Sequence, residues 1–124
     1  MLKHEELTEA ILGAAIEVHR EFGPGLLESA YEAALVIELE DRGLAVQRQV
    51  QFQTFYKGKN TGQVYRIDLL VNDLVIIEVK SVNDLLPVMD AQILTYMKLA
   101  KKPVGLLINF NNVLLKQGVK RFVR

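Results

Sequence analysis

Over the first 42 residues, apolar side chains recur every three or four positions, the spacing of helices that bury one face. The first such segment covers residues 5–22 and ends at Gly23-Pro24-Gly25, because glycine and proline stop helices and turn the chain. A second segment covers residues 27–42, and Gly43 is suited to cap its C-terminus. The pattern predicts two consecutive amphipathic helices.

From residue 46 onward, apolar residues alternate with glutamines, which is typical of a half-buried strand. A polar, glycine-containing turn at 57–62 separates this strand from a second one at 64–71. Asn72-Asp73 marks another turn before a strand at 74–79 that is rich in β-branched residues. These three segments predict an antiparallel meander.

The last third of the chain predicts one helix and two strands. Pro87 suits the first turn of a helix that runs to about residue 101. Residues 104–108 are apolar at consecutive positions, as in a strand buried on both faces, and 119–123 form a short final strand. The order α-α-β-β-β-α-β-β predicts an α/β or α+β fold, with a mixed sheet flanked by helices, in a single domain over residues 1–124.

Composition excludes several classes of protein. The chain has no cysteine, so it has no disulfide framework, thiolate metal site or cysteine nucleophile, and a reducing, cytoplasmic location is expected. No apolar run reaches the roughly 18 residues that cross a bilayer, so no membrane association is expected.

Charge is divided unevenly along the chain, although the net charge is zero. Residues 1–45 hold ten acidic and three basic side chains, whereas residues 46–124 hold five acidic and twelve basic ones. The second part could offer a basic surface to a polyanion. Alternatively, the two parts attract each other or another copy of the chain. Together with the apolar segment 85–89, this charge division makes a homo-oligomer possible.

Two carboxylates interrupt the apolar strands of the predicted meander. Asp68 precedes Leu69-Leu70-Val71, and Glu78 follows four apolar residues. A carboxylate in such surroundings is costly unless it is paired or bound to a metal. Mg²⁺ prefers hard oxygen ligands, which the two carboxylates and the backbone carbonyl of Val79 could supply. The alternative is that Asp68 and Glu78 are separate ion-pair partners of Arg66 and Lys80.

Strand register discriminates between these two hypotheses. A two-residue turn at 72–73 would place Asp68 opposite Ile77 and turn Glu78 to the other face of the sheet. A three-residue turn or a bulge moves the pairing by one residue. The metal hypothesis therefore predicts the longer turn or a bulge. Lys80, two residues after Glu78, shares its face of the strand.

The helices carry two more polar candidates. Glu28 has Tyr31 and Leu35 three and seven residues later, so it is expected on or beside the inward face of its helix. The alternative is an acid that only favours the helix dipole. Gln92 lies on an apolar stripe with Tyr96 four residues later and needs a hydrogen-bond partner, which could simply be a backbone group.

In this order, the motifs resemble the PD-(D/E)xK nuclease superfamily. The resembling residues are Asp68, Glu78-x-Lys80 on the meander, Glu28 on an earlier helix and Gln92-x-x-x-Tyr96 on the following helix, the last similar to the motif of RecB-like exonucleases. Gly25-x-x-Glu28-x-x-Tyr31 is similar to the signature of the small GxxExxY family. One departure is Ile67, which stands where the superfamily name has proline.

The resemblance implies a restriction-endonuclease-like αβββαβ core with an extra N-terminal helix. It also implies that Glu28, Asp68 and Glu78, with the carbonyl of Val79, bind Mg²⁺ or Mn²⁺, which would activate a water and stabilise charge on the phosphate. Lys80 would orient that water or neutralise developing charge. Gln92 would hold Lys80 or the water, with Tyr31 and Tyr96 in supporting positions.

Two functions compete at this stage. The first is a divalent-metal-dependent nuclease acting on nucleic acid, DNA in preference to RNA. The second is a catalytically silent nuclease-fold module for binding or assembly, favoured by the neutral net charge and small size. Three aromatic residues of the first hairpin, Phe52, Phe55 and Tyr56, could stack on bases or belong to the core.

Overall fold

The computed structural model describes residues 3–124 and contains three helices and five strands. The helices are α1 (Glu5–Phe22), α2 (Glu28–Asp41) and α3 (Pro87–Ala100), and the strands are β1 (Val46–Tyr56), β2 (Lys59–Val71), β3 (Val75–Lys80), β4 (Val104–Asn109) and β5 (Val119–Val123). A short 3-10 helix, Leu115–Gly118, precedes β5 and was not predicted from the sequence. Across residues 3–124, no helix combines the length and apolarity needed to cross a membrane.

The strands form one mixed sheet in the order β1-β2-β3-β4-β5. Among the strands of residues 3–124, only the β3–β4 pair is parallel, because α3 provides the crossover between these two strands. The remaining neighbours are antiparallel, including the predicted meander of β1, β2 and β3. The mixed sheet flanked by helices is thus confirmed.

Both faces of the sheet are covered by apolar clusters. Ile77 and Leu106 belong to the cluster under α1 and α2, whereas their neighbours Ile76 and Leu107 belong to the cluster under α3. Alternate residues of a strand point to opposite faces, so β3 and β4 must be apolar at nearly every position. Glu78 is therefore an exception within β3, because a buried position in this strand calls for an apolar side chain.

The hairpin between β1 and β2 is longer than predicted. The turn is only Lys57-Gly58, both with positive φ (50° and 79°), as a two-residue hairpin turn requires. The expected turn at 57–62 was wrong over its second half, because Gly62 (φ 80°) lies instead in a bulge where the β1–β2 register shifts. The hairpin consequently extends as an arm beyond β3, which pairs with β2 only at 69–71.

Candidate metal centre

The register of β2 and β3 is the one that the metal hypothesis requires. Leu69 pairs with Ile77 and Val71 pairs with Val75, so residues 72–74 form a three-residue connection. Asn72 adopts a left-handed conformation there (φ 51°), and its side chain accepts a hydrogen bond from the N–H of Ala45 at 2.9 Å. Continued by one residue, this pairing brings Asp68 opposite Glu78.

Where the backbone hydrogen bonds between β2 and β3 end, the two carboxylates accept bonds from the opposite strand in their place. The N–H of Asp68 donates to Glu78 Oε2 at 2.8 Å, and the N–H of Val79 donates to Asp68 Oδ2 at 2.8 Å. Within residues 3–124, ion pairs join other residues, and neither carboxylate is paired with Arg66 or Lys80. The alternative of two separate ion pairs is therefore wrong.

Burial makes this pair electrostatically costly. Glu78 is 5% exposed, and burial, followed by the negative charge of Asp68, raises the pKa of Glu78 from 4.5 to about 8. The positive charge of Lys80 opposes this rise in pKa. A bound cation would relieve the repulsion that remains.

The donor set fits a divalent cation. Only one oxygen of each carboxylate is engaged by a backbone N–H, so Oδ1 of Asp68 and Oε1 of Glu78 are left for a ligand. The N–H of Val79 points to Asp68, and the carbonyl of a strand residue lies on the same side as its N–H. Hard oxygen donors of this kind are those that Mg²⁺ and Mn²⁺ prefer.

The loop before α2 is anchored beside this centre. Tyr31 is fully buried, and its hydroxyl donates to the carbonyl of Gly23 at 2.5 Å and accepts from the N–H of Leu26 at 3.1 Å. Ser81, immediately after β3, donates its hydroxyl to the carbonyl of Leu26 at 2.6 Å. Gly25 has φ 103°, a conformation that favours glycine. The Gly25-x-x-Glu28-x-x-Tyr31 motif thus fixes the start of α2 against the end of β3.

Glu28 itself is not on the inward face. It is the first residue of α2 and is exposed, whereas Tyr31 and Leu35 are fully buried, so its expected inward position was wrong. A side chain at the first residue of a helix extends past the packed layer. Among residues 3–124, no group of three His, Cys, Asp or Glu side chains is arranged to hold a metal ion. The structure brings Asp68 and Glu78 together without Glu28.

Tyr96 and Gln92 of α3 occupy different environments. Tyr96 is 9% exposed, and burial together with the nearby charge of Glu78 raises the pKa of its phenol. The charges of Tyr65 and Asp68 contribute to the same rise. Gln92 is exposed and lines a cleft with Tyr96. Tyr96 therefore lies within the electrostatic influence of the carboxylates, and both it and Gln92 line the cleft.

A buried carboxylate that the sequence analysis missed is Glu32. It is 7% exposed, and its two oxygens accept hydrogen bonds from Arg48 Nε at 2.8 Å and Gln49 Nε2 at 2.7 Å. Glu32 lies three residues before Leu35 on the buried stripe of α2, a spacing that could have revealed it. It ties α2 to the first half of β1.

Glu32 binds Gln49, the residue of β1 that faces Asp68. Gln49 has φ 53°, and its neighbours in β1 pair with the residues on either side of Asp68. Val46 packs on the cluster under α1 and α2, but Val50 packs on the cluster under α3. Because four residues would normally preserve the face, the strand changes phase between them, at Gln49. Glu32 thus anchors the irregularity next to Asp68.

Asn109 was also missed as a structural support of the site. It is 1% exposed at the end of β4, where it pairs with Lys80. Its side chain accepts from the N–H of Val82 at 3.0 Å and donates to the carbonyl of Val82 at 2.9 Å. This pair of bonds holds the segment that follows Lys80.

Comparison with known families gives one match. The family described as the PD-(D/E)XK nuclease superfamily matches residues 5–122. Comparisons with curated proteins and with solved structures give no match. The family match and the mixed sheet with three helices confirm the restriction-endonuclease-like fold.

Proposed function

Because the chain belongs to the PD-(D/E)XK nuclease superfamily, we propose that it hydrolyses phosphodiester bonds with Mg²⁺ or Mn²⁺, in DNA in preference to RNA. Membership supports a nuclease-type function, a nucleic-acid substrate and a divalent metal in general terms. The observation that carries the proposal for this chain is the pair formed by half-buried Asp68 and buried Glu78, each held by a backbone N–H at 2.8 Å.

In the proposed reaction, the carboxylates would bind the metal ion. Asp68 and Glu78, with the carbonyl of Val79, would hold the ion. Glu28 would complete its shell only after its exposed side chain turns from the start of α2 toward the pair. A bound divalent ion lowers the pKa of a water and stabilises negative charge on phosphate oxygens. The hydrogen bonds from the N–H groups of Asp68 and Val79 keep both carboxylates oriented before the ion arrives.

Lys80 and the α3 residues act around the ion. The ammonium group of Lys80, whose positive charge lowers the pKa of Glu78, would orient the attacking water or neutralise negative charge on the phosphate. Tyr96, whose phenol is influenced by the charges of both carboxylates, could support Gln92 or contact a phosphate. Gln92, exposed on α3, would hold Lys80 or the water only after its side chain turns toward β3.

The finer expectations from the sequence belong to the same proposal. The anchoring of the loop by Tyr31 supports assignment to the GxxExxY group. A single domain over residues 1–124, a cytoplasmic location and a possible homo-oligomer stay predictions.

A catalytically silent binding module is the second candidate. The observation that favours it is the exposed Glu28, which leaves two carboxylates rather than three at the centre in the described residues. In that case the fold would bind nucleic acid or a protein without cleaving it.

A cleavage assay tests the proposal. Purified wild type is incubated with labelled single-stranded and duplex DNA and with RNA, in Mg²⁺, in Mn²⁺ or in a chelator. Asp68→Ala and Lys80→Ala are compared with Asp73→Asn, an exposed acid in the β2–β3 turn. We expect metal-dependent cleavage by wild type and Asp73→Asn, at rates at least about 100-fold above both site variants.

Equal cleavage by all four proteins would indicate a contaminating nuclease and contradict the proposal. Absence of cleavage by folded wild type on every substrate, with either metal, would favour the binding module.

A further inference from the structure

A cleft separates the arm of the β1–β2 hairpin from α3. Its volume is about 500 Å³. The arm supplies one wall with Phe55, Tyr56 and Tyr65, and α3 supplies the other with Gln92, Thr95 and Tyr96. We propose that this cleft binds unpaired nucleotides of single-stranded DNA and leads them to Asp68 and Glu78. This inference rests on the proposed nuclease function.

Aromatic side chains in the arm are exposed despite their size. Phe55 is 61% exposed, Tyr56 is 66% exposed and Tyr65 is 41% exposed. The expectation that Phe55 and Tyr56 could belong to the core is therefore wrong, whereas Phe52 is half-buried and packs on the cluster under α3. Exposed aromatic rings are the platforms on which unpaired bases stack.

The aromatic residues continue inward to the carboxylates. The ring of Tyr65 lies 5.9 Å from that of Tyr96, and Phe52 lies 5.7 Å from Tyr96 in an edge-on arrangement. Tyr65 lies on β2 three residues before Asp68, and the charges of Glu78 and Asp68 act on the Tyr96 phenol. A strand that entered along the arm would thus reach the candidate metal centre.

Charge around the cleft complements a phosphate backbone. Between Asp41 and Asp68 the chain contains no acidic residue, and the arm carries the exposed cations Lys57, Lys59 and Arg66. Lys57 Nζ lies 5.3 Å from the centre of the Tyr56 ring, so a cation and an aromatic face are presented together. The residues lining the cleft are all uncharged, which suits bases inside and phosphates at the rim.

The dimensions favour a single strand over a duplex. A cleft of this volume is within the range of small-molecule pockets, about 300–1,000 Å³, and would take roughly one or two nucleotides. In a duplex the base faces are stacked on each other and are not available to aromatic side chains. A duplex offers only base edges and phosphates, and these would not stack on the exposed rings of the arm.

Fluorescence anisotropy without divalent metal tests the inference separately from catalysis. The probe is a fluorescein-labelled single-stranded DNA of about 12 nucleotides, within the site sizes known for single-strand binders. Every protein carries Asp68→Asn, so that the probe stays intact. The test variants are Tyr56→Ala and Tyr65→Ala, with Tyr56→Phe retaining the ring. Ile37→Ala, an exposed apolar residue of α2, is the matched control.

We expect Tyr56→Ala and Tyr65→Ala each to weaken binding about fivefold or more, because a base–aromatic stack contributes about 1–3 kcal/mol and 1.4 kcal/mol corresponds to tenfold. Tyr56→Phe and Ile37→Ala should bind within about twofold of the parent. A duplex of the same sequence should bind at least tenfold more weakly than the single strand, and an RNA strand no more tightly than the DNA.

Unchanged affinity in both alanine variants would overturn the inference, as would tighter binding of duplex or of RNA. Light scattering identifies another occupant: a dimeric parent that becomes monomeric in Tyr56→Ala would show that a second copy covers the cleft. Cleavage by wild type with unaltered binding in the variants would refute the inference alone. Cleft-dependent binding without cleavage would instead refute the proposed nuclease function.

Discussion

The N–H of Asp68 donates a hydrogen bond to Glu78 Oε2 at 2.8 Å, across two neighbouring antiparallel strands. The N–H of Val79 returns a bond of the same length to Asp68 Oδ2. Each carboxylate is therefore fixed by the backbone of the opposite strand, and half-buried Asp68 is held beside buried Glu78. This arrangement has measurable consequences for stability even without nucleic acid.

Asp68→Asn should raise the melting temperature of the metal-free protein. The substitution removes a charge beside Glu78, and the amide oxygen can still accept the bond from Val79. Mn²⁺ should raise the melting temperature of wild type, because it binds only the folded state, but should leave Asp68→Asn unchanged. Asp73→Asn is the matched control. A lower melting temperature with the metal response intact would make Asp68 a purely structural residue.

The unfolding free energy of the metal-free protein should fall as pH rises from about 4.5 to about 8. The pKa of Glu78 is raised in the folded state, mainly by burial, so the folded protein binds more protons than the unfolded chain in this interval. The contribution is complete below the unfolded pKa and is lost as pH passes the folded pKa. Denaturant titrations at several pH values measure this slope.

Glu78→Gln should flatten that slope, and above pH 8 it should be more stable than wild type. Glu40→Gln, an exposed acid at the outer surface of α2, should keep the wild-type slope. Identical slopes in wild type and Glu78→Gln would contradict the raised pKa.

Glu32→Ala should destabilise the fold by about 1–3 kcal/mol, because Arg48 and Gln49 would lose their buried hydrogen-bond acceptor. It should also weaken Mn²⁺ binding, since Gln49 would lose the contact that anchors the irregularity facing Asp68. The control is Glu38→Ala, also on α2, which breaks a looser surface pair with Arg42 at 3.7 Å and should cost under about 0.5 kcal/mol. Equal effects of the two substitutions would show that Glu32 has no special role.

Tyr31→Phe should cost about 1–2 kcal/mol in unfolding free energy, because its hydroxyl bonds to Gly23 and Leu26 are lost in a buried position. If Glu28 completes the metal site, the loosened loop should also weaken Mn²⁺ binding. Tyr56→Phe, whose hydroxyl is on the exposed arm, should change neither quantity. A Tyr31→Phe variant that is less stable but keeps full affinity for Mn²⁺ would show that Glu28 does not bind the metal.

The helices and strands were predictable because their apolar periodicities are strong. α1 and β5 were predicted over their exact ranges, and the other elements differ by a few residues at their ends, with β2 the largest exception. There, Gly58 and Gly62 both suggested one turn, but the first closes the hairpin and the second forms a bulge. Local composition does not distinguish these two uses of a positive φ.

At the candidate site, sequence spacing identified the residues but not their contacts. Asp68 and Glu78 were recognisable as carboxylates in apolar strands, and their pairing depended on a turn length that the sequence left open. The burial of Glu32 is indicated by its spacing from Leu35, but its contact with Gln49 is not. That contact joins a helix to a strand, 17 residues apart, and no local pattern encodes it. Glu28 has the spacing of an inward residue, but the helix begins there, so the packed layer does not reach it.

Calorimetric titration with Mn²⁺ tests the central claim, that Asp68 and Glu78 form a metal centre, most directly. Wild type, Asp68→Asn, Glu78→Gln and the control Asp73→Asn are titrated near neutral pH, with circular dichroism confirming that each is folded. Wild type and Asp73→Asn should bind Mn²⁺ in the micromolar to millimolar range, with release of a proton from Glu78, whereas both site variants should show no binding heat. A folded wild type that binds no Mn²⁺ at millimolar concentration, or an Asp68→Asn variant that binds as wild type does, would contradict the account.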